Sequence, residues 1–188
     1  MTTQPQPLNA LVERLESTVA LDGVARTAGR TVQQLVPDGP AKDLLSGVWL
    51  GHALHPIVTD IPIGAWTSSI LLDWTGGAAS RSAADRLVLT GVLAAGATVA
   101  TGWSDWADAE QANAAVRRSG LVHAAANATA TGLMIGSYIA RKRGARMRGR
   151  LLSLAGSAAL GAGGWLGGHL TYTLGAGVTA SAPPADTR

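Results

Sequence analysis

Four histidines, His52, His55, His123 and His169, are the only ones in the 188-residue chain, and each falls in or beside an apolar stretch. A neutral imidazole offers one lone pair and one N–H near physiological pH, so it relays protons, ligates metals and hydrogen-bonds redox cofactors. Close to lipid it is costly unless it does one of these things or pairs with a neighbour. Asp60 lies one helical turn beyond Pro56 in the same apolar run as His55. An acid there costs roughly 2.5–3.5 kcal/mol by insertion scales unless it faces other protein groups. Imidazoles from two facing helices can hold a b-type haem from both sides, and three can hold Zn or Cu. His55, His123 and His169 are the metal-ligand set that such a site would use, with Asp60 accepting from the far side of one ring. A quinone is the third candidate, bound through its two oxygens by His and Asp. The plainer alternative is structural, with the histidines capping helix ends and bonding loop carbonyls, and Asp60 pairing with a histidine or a backbone N–H beside Pro62.

Bringing these residues together requires helices that all present the same end. Apolar stretches predict four long helices, from about Pro56 to Trp74, Leu87 to Trp103, Leu121 to Ala140 and Leu151 to Leu174. Each is close to the roughly 20 residues that cross a bilayer core. The fold class expected is all-α, an integral membrane four-helix up-and-down bundle with an N-terminal amphipathic helical segment. In that arrangement helices one and three are diagonal, so His55 and His123 face each other with His169 beside them. His52 precedes His55 by three residues, Asn127 lies one turn below His123, and Trp103 and Asp105 end the second helix at the same side. His55, His123, His169, His52, Asp60, Asp105, Trp103 and Asn127 are the expected cofactor-binding set.

The domain plan has three parts. Residues 1–50 form an interfacial helical segment: Leu8, Leu11, Val12, Leu15 and Val19 recur at helical spacing over Leu8–Ala20, and a weaker helix runs from Val24 to Val36. Pro37-Asp38-Gly39-Pro40 reads as a turn. Residues 51–175 hold the four helices, and residues 176–188 read as a disordered tail. Trp49, Trp74, Trp103 and Trp106 fall near the predicted ends, as an aromatic belt would place them. Gly132-xxx-Gly136, Gly163-Gly164 and Gly167-Gly168 mark close helix contacts.

Composition supports a membrane setting, with 47% hydrophobic and only 14% charged residues. There is no Cys, so disulfides and an iron–sulfur cluster are excluded for this chain. Six of the fifteen basic residues crowd into 141–150 without an acid. That placement argues for membrane topology and against nucleic acid. It puts loop 141–150 in the cytoplasm and both termini outside, in a multi-pass protein of the cell (inner) membrane. No signal peptide is evident, so the first spanning helix is expected to direct insertion. Gly161-Ala-Gly163-Gly164 lies mid-helix and lacks the Lys-Ser/Thr of a phosphate loop. Gly175-Ala-Gly177 sits in the tail, and the sequon Asn127-Ala-Thr129 falls inside a helix. No nucleophile–base motif appears, so independent catalysis is not expected.

The runs Gly51-His52-Ala53-Leu54-His55-Pro56 through Asp60 and Pro62 to Trp66, Thr101-Gly102-Trp103-Ser104-Asp105-Trp106, Leu121-Val122-His123-Ala124 and Gly163-Gly164-Trp165-Leu166-Gly167-Gly168-His169-Leu170 carry a resemblance. Over about residues 30–178 the chain resembles a bacterial family of four-helix membrane domains of unknown function. Members of the most similar subgroup are often fused to a Rieske iron–sulfur domain after the fourth helix, and some resemble the anchor of an unusual succinate dehydrogenase. The resemblance implies proximity to electron transfer and quinone, and a Rieske or dehydrogenase partner subunit. Two departures stand out: this chain stops where the Rieske domain would begin, and the family often carries His where Asp60 stands. The expectation is an accessory electron-transfer subunit in the lipid bilayer that binds quinone or haem b. The alternatives are a transition-metal binder or transporter, or a ligand-free anchor; homo-oligomers are compatible with all three.

Overall fold

A computed structural model describes residues 7–177, and every element among them is helical. Three short helices come first: α1 (Pro7–Ser17), α2 (Asp22–Leu35) and α3 (Pro40–Ser46). Four long ones follow: α4 (His55–Thr75), α5 (Arg81–Ala112), α6 (Ala114–Lys142) and α7 (Arg146–Tyr172). The expected disordered stretch beyond Gly177 lies outside the described residues.

The long helices run alternately up and down, and their lateral contacts show it. Ser69 of α4 bonds Ala84 of α5, and near the other end His55 bonds Thr98. Ser137 of α6 bonds Gly149 of α7, while His123 bonds Gly163. Glycines set the close approaches. A Cβ at Gly91 or Gly120 would collide with the indoles of Trp66 and Trp106, and one at Gly156 would press on Ala130 O at 3.3 Å. Of the expected small-residue contacts, Gly163 and Gly167 face α6 while Gly132 and Gly164 face open space.

Pro62 sits inside α4 without ending it. Its missing N–H frees the carbonyl of Val58, four residues back. The Thr98 hydroxyl of α5 donates to that carbonyl at 3.4 Å.

The helix ends depart from expectation. α5 continues nine residues past Trp103, and α6 starts seven residues before Leu121. The stretch 104–120, expected as a loop, is helix broken only at Asn113. That residue is extended, and its side chain accepts from Ala115 N at 2.8 Å and Val116 N at 3.4 Å, an N-cap that reverses the chain in one residue. Likewise 141–150 is mostly helix. The reversal there needs only residues 143–145, with Gly144 in the left-handed conformation at φ 81°.

The projecting ends of α5 and α6 form the platform for the N-terminal helices, which pack on protein at this end. Gln33 donates to Ala107 O at 3.0 Å, Lys42 pairs with Asp108 at 2.5 Å, and Ser46 pairs with Ser104 at 2.9 Å. Asp22 clamps α2 to α6, accepting from Arg118 at 2.8 and 2.9 Å and from Arg117 at 3.3 Å. Hydrogen bonding from Arg118 holds the Asp22 carboxyl far below the usual carboxylate range. The folded value is depressed, so this clamp is complete above the ordinary value of roughly 4 and weakens as pH falls through it toward the depressed value. Hydrogen exchange in α1 and α2, corrected for intrinsic rates, is therefore expected to accelerate on acidification. Arg118→Ala is expected to produce the same acceleration at neutral pH. Equal protection in the variant and the parent would remove the clamp from the account.

The interior mixes small apolar side chains with buried serines and charged groups, while many large aliphatic side chains lie outside. Ser69, Ser104, Ser119, Ser137 and Ser153 are fully buried, while Ile57, Ile61, Leu71, Leu93, Ile135, Ile139, Leu151 and Leu154 are exposed on the long helices. The apolar core around Trp66, Val88, Ala95 and Met134 is small. By length and apolar composition, α5 alone among the described helices is sufficient to cross a membrane.

Candidate functional site: a paired histidine site

The helix start at His55 and the extended α6 bring His55 and His123 together from diagonal helices. Their ring centroids are 6.4 Å apart at an interplanar angle of 79°. Both rings are half-buried and tethered by one nitrogen. His55 Nδ1 lies 3.0 Å from Thr98 O of α5, and His123 Nδ1 lies 2.8 Å from Gly163 O of α7. A carbonyl oxygen only accepts, so each Nδ1 carries the proton and donates. Each Nε2 then presents a lone pair, the tautomer that metal-ligating or hydroxyl-accepting histidines need. Asn127 Nδ2 donates to His123 Nε2 at 3.1 Å and also to His123 O at 3.0 Å. His55 Nε2 has no hydrogen-bond partner among the described residues.

Glycines make room for both rings. A Cβ on Gly102 would stand 2.7 Å from His55 Cε1, and one on Gly167 would stand 3.0 Å from His123 Cε1. A Cβ on Gly163 would meet Asn127 Oδ1 at 2.7 Å. The Thr-Gly-Trp and Gly-Gly-x-x-Gly-Gly-His runs thus act by what they omit, leaving space for imidazoles beside the backbone.

The other expected site residues lie elsewhere. His169 turns toward the N-terminal segment, with Nε2 2.7 Å from Glu16 Oε1 and its ring stacked near Trp165. It therefore does not complete a three-histidine ligand set. No group of three His, Cys, Asp or Glu positioned to hold a metal occurs among the described residues. His52 is exposed and bonds only the adjacent Ala53 O, at 3.2 Å. Asp60 is exposed on the outer face of α4 and touches neither histidine, so it does not orient a ring. Pro62, two residues on, is on the inner face, and 200° of helical rotation separates the two positions. Trp103 is exposed, and Asp105 is half-buried beside the Ser46–Ser104 contact.

A second polar cluster, absent from the sequence expectations, occupies the opposite end. Arg141 is fully buried and pairs with Asp73, itself 1% exposed at the side chain. Asp73 also meets Arg146 at 2.9 Å and Arg150 at 3.6 Å, and Asp85 meets Arg146 at 2.9 Å and Arg141 at 3.3 Å. Ser137 and Ser153 accept from Arg141 at 3.0 Å each. Three of the six basic residues in 141–150 are therefore folded into ion pairs. The signal was present: Asp73 is an acid inside an expected membrane helix, the same criterion that singled out Asp60.

Four long helices, with a histidine pair between diagonal α4 and α6 at one end and an ion-pair cluster at the other, define an all-helical protein. The chain belongs to the DUF2231 family of predicted membrane proteins, whose model matches residues 51–180. No curated protein and no solved structure matches the chain.

Proposed function

We propose that this protein is an accessory membrane subunit of an electron-transfer assembly, holding a quinone headgroup or a b-type haem at His55 and His123. The observation that carries the reading is the imidazole pair itself: two rings on diagonal helices, each locked by a backbone carbonyl, with the Nε2 lone pair of His55 free and that of His123 held by Asn127. The free Nε2 of His55 suits a hydroxyl of a reduced quinone or an iron ion, and His123 would join it by exchanging its bond to Asn127. At 6.4 Å the rings are within aromatic contact range. A planar macrocycle between the rings would have to part α4 from α6, whereas a quinol hydroxyl needs only the free Nε2 of His55. Quinol is therefore the preferred occupant.

The membrane setting is supported by the large aliphatic side chains exposed along the long helices, with serines and an ion pair buried between them. On this reading all four long helices cross the bilayer. Arg81, Arg86, Lys142, Arg143 and Arg148, without ion-pair partners among the described residues, support a reading in which the α6–α7 end is cytoplasmic and the histidine end faces outward. A Rieske or dehydrogenase subunit is the partner class with which electrons would be exchanged.

The test is to purify the protein in mild detergent and record oxidised and dithionite-reduced spectra together with quinone analysis of the lipid extract. Retained quinone is expected in the parent and is expected to be lost in His55→Ala and His123→Ala. A Soret band with sharp α and β bands, lost in the same variants, would assign haem. A parent protein with neither group, after growth with both available, would defeat the proposal.

A further inference from the structure

Away from the histidines, α2 and the projecting ends of α5 and α6 enclose an open hollow of about 370 Å³, within the size range of small-molecule sites. Arg26, Arg30 and Gln33 line it from α2; Glu110, Gln111 and Arg117 line it from the platform. Arg26, Arg30 and Gln33 share one face of α2 by helical spacing.

The two walls carry unspent hydrogen-bonding capacity of opposite sign. Glu110 is only 4% exposed, yet its Oε2 has no hydrogen-bond partner among the described residues. Its nearest cation is Arg117 Nη1 at 3.8 Å, beyond hydrogen-bond reach. That arginine is already committed to Glu110 O at 3.0 Å and Asp22 at 3.3 Å. Buried carboxylates without hydrogen bonds are rare and costly. Gly29 allows the approach, since a Cβ there would stand 2.5 Å from Glu110 Oε1. On the facing wall Arg30 has no acidic partner among the described residues and makes only a 3.4 Å contact to Thr27. Arg26 reaches Asp22 at no less than 3.8 Å.

We infer that this hollow binds a small zwitterion of the α-amino-acid class, its ammonium on Glu110 and its carboxylate on Arg30 and Arg26. An anion alone would leave Glu110 with only the long Arg117 contact at 3.8 Å and adjacent to like charge. A cation alone would leave the arginines unmatched. One compact molecule with both charges satisfies both walls, and a guanidinium–carboxylate pair can be bidentate.

The experiment is calorimetric titration of the full-length protein in mild detergent with a panel of free L-amino acids. The best binder is then compared with its deaminated acid and its decarboxylated amine. Expected is saturable binding of at least one amino acid, with both analogues at least about ten-fold weaker. Glu110→Gln, which keeps the side-chain shape, and Arg30→Gln, on an exposed position, are each expected to weaken binding about ten-fold or more. Circular dichroism and melting confirm that the variants fold. The inference is overturned if no amino acid binds at concentrations on the order of 10 mM, if either analogue binds as tightly as the zwitterion, or if both variants bind like the parent. None of these outcomes depends on the histidine pair.

Discussion

Asp73→Ala is expected to destabilise the protein by about 3–5 kcal/mol, the cost of removing one partner from a buried ion pair. Asp73 is the hub on which Arg141, Arg146 and Arg150 converge. Without it, Arg141 and Arg146 share Asp85 alone, Arg150 loses its acidic partner, and Arg141 remains fully buried with its strongest partner gone. The Nε atoms of Arg146 and Arg150 already lack hydrogen bonds, so the cluster has no spare acceptor to offer. Melting or denaturant unfolding in mild detergent reads the loss. The double replacement of Asp73 by leucine and Arg141 by methionine separates the causes. It removes the fully buried charge of Arg141, leaving only the part-exposed Arg146 and Arg150 without Asp73, and is expected to recover a substantial part of the loss, because buried ion pairs replaced by apolar groups of similar volume are often near neutral. An Asp73→Ala protein that unfolds with the parent would show that this end is solvated and that the pairs contribute little.

Trp66→Ala carries the second large effect, about 3–5 kcal/mol. Trp66 is the largest fully buried side chain, its N–H donates to Val88 O at 3.1 Å, and its ring occupies the space that Gly91 leaves on α5. Removing the indole opens a cavity between α4 and α5 and strips the carbonyl of its partner. In lipid this packing matters more than transfer from water, because the tails outside are as apolar as the side chains inside. Trp66→Phe is expected to lose less, since it keeps most of the volume and forfeits the hydrogen bond. Equal melting of Trp66→Ala and the parent would mean that α4 and α5 are held elsewhere.

The all-helical character was legible because apolar runs of membrane length bounded by Gly, Pro and basic residues leave few alternatives, and α4 begins and ends within a residue of expectation. Ends set by capping were harder to read. Asn113 stops α5 and starts α6, but one Asn in a polar stretch competes with many other plausible turns. The stretch therefore reads as a loop in sequence, although its helical faces build the platform for α2 and α3.

Residue types and spacing by themselves determined that this is a helical protein of membrane character, and that His55 and His123 meet if the long helices alternate in direction. Periodicity and chain length suffice for that, because both are local or nearly so. Tertiary structure alone decided the rest. Rotation about each helix axis placed Asp60 outward and Asp73 inward, though both are acids in one apolar helix. The same freedom turned His169 to Glu16 and left His123 beside Asn127 and Gly163. It also converted half of an apparently free basic loop into buried ion pairs. A helix with little difference between its faces in apolar content does not announce which face turns inward. Only the fit of rings, guanidiniums and glycines on neighbouring helices fixes that rotation.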